Sequence, residues 1–80
     1  MTLDEARDAM SAANTRLGIA TRAVWSAQAV VDQAVRDRDP YGVYAATSEL
    51  KHADAEYERS QREHAAAESA LQALAEQGEY

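Results

Sequence analysis

The stretch RDRDPYGVY, residues 36–44, holds the only proline of an 80-residue chain and lies almost at its midpoint. Its reading decides whether one long helix runs through or the chain doubles back. Proline lacks an N–H and pushes the residue before it out of the α region, so Asp39 cannot comfortably continue a helix. Asp39 can instead cap the next one. Its carboxylate would accept from the first free backbone N–H groups, with Pro40 at the first helical position, where a missing donor costs nothing. Arg36 and Arg38 stand where the preceding helix ends and favour its negative pole. At the far end of that helix, Thr2 followed three residues later by Glu5 reads as a capping box.

Outward from the turn, both halves show one period. In the first half Leu3, Ala6, Met10, Ala13, Leu17, Ala20, Val24, Ala27, Val31 and Ala34 recur at alternating spacings of three and four. That is a heptad seam on an α-helix, with large residues and alanines in alternation. Val43, Ala46, Leu50, Ala53, Tyr57, Ser60, His64, Ala67, Leu71 and Leu74 nearly repeat it in the second half, out of phase with the first. Folding the sequence on the turn sets Val31 against Ala46, Val24 against Ala53, Ala20 against Tyr57, Leu17 against Ser60, Ala13 against His64 and Met10 against Ala67. Large faces small in each layer, so the backbones can approach closely while the volume is filled. The same register places Arg16 beside Glu63, Arg7 beside Glu68 and Asn14 beside Gln61. The expected fold is all-α: a two-helix antiparallel hairpin, an alanine-seamed coiled coil. Its helices span about 3–37 and 40–77, with a turn at 38–39, and residues 1–80 form one domain.

This layout resembles the alanine-seamed antiparallel hairpins of the repressor-of-primer type over both helices, an architectural likeness that implies RNA binding as an alternative function. Secreted hairpins of the ESX type carry W-x-G in the turn, whereas the only tryptophan here opens WSA, Trp25 to Ala27, inside the first helix.

Composition limits the remaining options. The chain has 8 basic and 14 acidic residues, no cysteine and no phenylalanine. Disulfides and thiolate metal sites are thereby excluded. A net charge of −6 opposes general affinity for nucleic acid or anionic membrane. Apolar runs are short and the N-terminus is acidic, so neither a membrane span nor a signal peptide is expected and the protein reads as cytoplasmic. Alanine and arginine usage hints at a high-GC bacterial or phage genome.

One hairpin of this size buries little, because alanines fill so much of the seam. A second apolar stripe on helix one, Ala9, Ala12, Ile19, Ala23 and Val30, lies on the side where helix two presents Glu49, Glu56 and Glu63. It is expected to meet a second copy and form a four-helix bundle. On the opposite flank Trp25, Val35 and Tyr44 form a smaller apolar group near the turn.

Sites for chemistry are sparse. Nothing resembles a glycine-rich phosphate loop or a nucleophile with its base, so neither an enzyme nor a cofactor is expected. Glu49 and His52 in ELKH have the E-x-x-H spacing of ferritin-like di-metal helices. The facing residues, Val30 and Ala27, supply no further ligand, so these are read as solvated side chains. His64, at a seam position, is either a pH switch or, as favoured, a polar spacer satisfied by water or by its neighbours Asn14 and Gln61.

The leading function is a non-enzymatic interaction module, an adaptor, assembly factor or inhibitor, with itself and another protein as partners. Its expected interface is Ile19, Ala23 and Val30 rimmed by Arg16, Glu49 and Glu56, or else Trp25, Val35 and Tyr44, since aromatic residues commonly anchor such contacts. The RNA-binding alternative would use Asn14, Arg16, Arg22 and Gln28, against the charge balance. A ferritin-like metal-binding assembly ranks third.

Overall fold

The computed structural model describes residues 1–77 and contains two helices, α1 (Leu3–Arg36) and α2 (Pro40–Glu76), antiparallel and packed into one hairpin of 60 × 14 × 13 Å. The helix ends follow from local chemistry. Thr2 is extended, its hydroxyl accepts from the Glu5 N–H at 3.2 Å, and the Glu5 carboxylate accepts from the Thr2 N–H at 3.3 Å. Two N–H groups that an α-helix leaves unpaired at its start are thereby satisfied.

The reversal is built from consecutive backbone bonds. Asp37 closes α1 in the right-handed region and Arg38 follows at φ 53°. The Arg38 N–H donates to the Val35 carbonyl at 3.1 Å and the Asp39 N–H to the Ala34 carbonyl at 3.0 Å. This pair of bonds is a Schellman ending, with arginine at the left-handed position that glycine usually takes. Asp39 then caps α2, its carboxylate accepting from the Gly42 N–H at 3.0 Å, with Pro40 opening the helix. The absent side chain of Gly42 is needed here, because a Cβ would run into the Asp39 carboxylate, 2.9 Å from its Cγ.

Between the helices, each of the alternating large and small residues named above is buried or half-buried. Ala6, Ala13, Ala20, Ala34, Ala46 and Ser60 are buried, while among the described residues no large side chain is fully enclosed. The reason is geometrical: two helices enclose a single line of contact, so only residues ending at Cβ or Oγ fit beneath it. Larger side chains on that line reach past it toward solvent.

Two contacts across the hairpin define its register. Arg16 Nε donates to Glu63 Oε2 at 2.7 Å, and the His64 ring Nε2 lies 2.6 Å from Asn14 Oδ1. Both set the Ala13 level against His64. The other flanking pairs differ from expectation. Asn14 meets His64 rather than Gln61, whose amide donates to the Tyr57 hydroxyl on its own helix at 3.1 Å. Glu68 lies 4.0 Å from His64 Nδ1 and makes no ion pair with Arg7 among the described residues. Asn14 is thus the one of the two neighbours expected to satisfy His64 that does so.

Candidate interaction surfaces

Successive depressions run along one side of the hairpin. The first is lined by residues including Ala9, Arg16, Glu63, Ala66 and Ala70, the next by Arg16, Ile19, Ala23, Glu56 and Ser60, the third by Ser26, Val30, Gly42, Ala45 and Glu49. The Ile19, Ala23 and Val30 stripe of α1 and the glutamate row of α2 therefore share one face. Its floor is shallow because alanines and Ser60 form it. Ile19 is 58% exposed and Val30 57%.

Two ion pairs border this face, and Glu49 stands outside them. Arg16 joins Glu63 across the groove, and Arg59 Nη1 donates to Glu56 Oε1 at 2.9 Å along α2. Arg59 was missed by the sequence reading, as were Ala45 and Ala66. Their signal in the sequence is that Ala45, His52, Arg59 and Ala66 recur every seven residues beside the glutamate row.

Away from this face several aromatic side chains are exposed. Trp25 is 68% exposed, Tyr44 81% and Val35 57%, and Tyr41, also missed, 88%. Tyr41 follows Pro40 in the first turn of α2, where the opposing helix has already ended. Thr47, Ser48 and Lys51 border Tyr44 in a small depression. Arg22 is engaged with its own helix, its Nε donating to the Gly18 carbonyl at 3.3 Å, and the Gln28 amide donates to Asp32 at 3.0 Å.

Glu49 and His52 are both exposed, and the α1 residues lining the depression at Glu49 are Ser26, Ala27 and Val30. Among the described residues no three His, Cys, Asp or Glu side chains are grouped to hold a metal ion. Half-buried His64 has Asn14 as its partner. Since the amide oxygen can only accept, the ring donates from Nε2. Among the described residues no helix is long and apolar enough to cross a membrane. Set against protein-family models, curated proteins and solved structures, the chain matches none of them.

Proposed function

We propose that this protein is a non-enzymatic protein–protein interaction module, an antiparallel coiled coil with an alanine seam that acts through the outer faces of its two helices. One observation carries the reading: the large apolar side chains of Trp25, Val35, Tyr41 and Tyr44 are mostly exposed, while among the described residues no large side chain is fully buried. A chain that covers alanines and leaves tryptophan in water has its anchors on the outside. Clusters of tryptophan and tyrosine supply contact area at little cost in side-chain entropy, and they dominate the energetics of interfaces in which they occur. The hairpin presents them on rigid helix, so binding orders little that is not already ordered. The role of adaptor, assembly factor or inhibitor fits such a surface, because each requires a shaped face and no reacting group.

The test compares the chain with its Trp25→Ala variant as bait in an extract of the source organism, with helicity measured on both. Trp25 is mostly exposed, so the variant should keep its helix content and lose at least tenfold in affinity for the captured partner. Equal retention by both baits would remove the aromatic surface from the proposal.

A further inference from the structure

We infer that the face bearing Ile19, Ala23 and Val30 takes a second copy of this chain, stacked in a two-fold arrangement with the two turns at opposite ends. This rests on the interaction-module reading and names one occupant for one of its faces. The first argument is area. The chain exposes 5863 Å², whereas a compact monomer of 8.7 kDa exposes about 4,700 Å². Its radius of gyration is 17.8 Å, against about 12 Å for a compact 80-residue domain. The surplus is about 1,100 Å² per chain, and two copies covering it would bury an area in the range of permanent homodimers, about 2,000 Å² and upward.

Charge selects the face. The chain carries a net charge of −6, yet between Ala12 and Val30 this side presents two arginines, Arg16 and Arg59, against three glutamates, Glu49, Glu56 and Glu63. Only one of the excess negative charges therefore lies where the copies would meet. The repulsion between two acidic chains is left to their outer surfaces, where water and salt screen it.

The orientation follows from size and sign. When α1 lies antiparallel on α1 of the second copy, Val30 meets Ala12, Ile19 meets Ala23 and Arg16 meets Ser26. Large faces small in every layer, with the centre of symmetry beside Thr21. When α2 lies on α2, Glu56 meets Arg59, His52 meets Glu63 and Glu49 meets Ala66, with the centre between Tyr57 and Glu58. Two of these three are favourable charge or hydrogen-bond pairs, and the third sets a carboxylate beside a methyl at the solvent edge. The two centres rest on different residues. In the expected register, with Ala20 opposite Tyr57, they agree in height to about one and a half residues, or about 2 Å of helix rise. Isologous contact demands that coincidence, since one axis must serve both helices. Turns at the same end would instead lay Glu49 on Val30 and Glu56 on Ala23.

The test is the native mass of the full chain across a hundredfold dilution, by light scattering with helicity followed in parallel. Twice the 8.7 kDa chain mass at every concentration is expected, and a single-chain mass overturns the proposal. Glu56→Lys should raise the dissociation constant at least tenfold, with Glu56→Lys/Arg59→Glu recovering most of it; no recovery overturns the α2 register. The chain has no cysteine, so cysteines can be introduced cleanly at exposed sites. Ala12→Cys/Val30→Cys should oxidise to a covalent dimer, and neither single variant should; cross-linking by a single variant as efficient as by the double overturns the orientation. A dimer that captures no other protein would sink the aromatic docking reading alone, and a monomer that still binds through Trp25 would sink this proposal alone.

Discussion

Arg38 and Gly42 show how much a single position can carry at the reversal. Arg38 holds a left-handed conformation, φ 53°, which costs an ordinary L-residue about 1 kcal/mol or more. Arg38→Gly should therefore stabilise the hairpin, by up to about 1 kcal/mol after the greater freedom of glycine in the unfolded chain is discounted. A higher urea midpoint at unchanged slope would show it; a lower one would mean that the arginine side chain contributes more than its backbone conformation costs. Four residues on, Gly42 donates its N–H to Asp39 and leaves room for that carboxylate. Asp39→Ala should cost about 1 kcal/mol through the lost cap, a fall of roughly 4–8 °C in melting temperature for a domain this small. Gly42→Ala displaces the same carboxylate, so the double variant should cost clearly less than the two single losses added. Full additivity would show that the two substitutions act on different contacts. Asp39 and Pro40 were legible as a helix start because capping and proline geometry act within three residues of one another. Arg38 was read only as a charge at the helix end, because the left-handed ending is normally signalled by glycine and no glycine stands there.

At the level of the helices, the spacing of large and small residues is a statement about distance. Ala13, Ala20 and Ala46 are buried because the two backbones come close enough to cover a methyl group. Ala20→Leu should force the helices apart or drive neighbouring side chains off their rotamers, costing about 1–3 kcal/mol. Thermal unfolding followed by circular dichroism checks this, and an unchanged midpoint would show that the line of contact has room to spare. Across the flank, the Arg16 and Glu63 side chains are about half exposed, so their pair contributes under about 1 kcal/mol and weakens with salt. Arg16→Ala should accordingly lower the melting temperature by a few degrees at low ionic strength and by less in high salt; the same loss at both would point to packing rather than charge. The Arg16 to Glu63 pairing could be read from the sequence, because both positions border the apolar series at matching heights. Of the two neighbours expected for His64, Asn14 is the one it meets, while Gln61 turns to Tyr57 instead of lying beside Asn14. Spacing gives the height of a side chain on its helix but not which of several neighbours its rotamer will reach.

For the molecule as a whole, the apolar area left exposed is the controlling quantity. If the Ile19 face is covered by a second copy, unfolding is linked to association and the melting temperature should rise with chain concentration. A melting temperature independent of concentration would accompany a monomer. Ile19→Glu alters an exposed side chain and should lower the melting temperature only in proportion to the association it removes. Taken alone, the sequence determined the reversal at Asp39 and Pro40, the two helices and the residues that line their contact. Each depends on rules that act over three or four neighbours or on a repeat that one helix face must obey. Only the tertiary structure decided that His64 takes Asn14 while Gln61 turns to Tyr57, that Glu68 lies beside His64 rather than in an ion pair with Arg7, and how far Trp25, Tyr41 and Tyr44 stand out into solvent. These depend on how the two helices are rotated about their own axes and on which rotamers that rotation leaves open, and a linear period does not encode either.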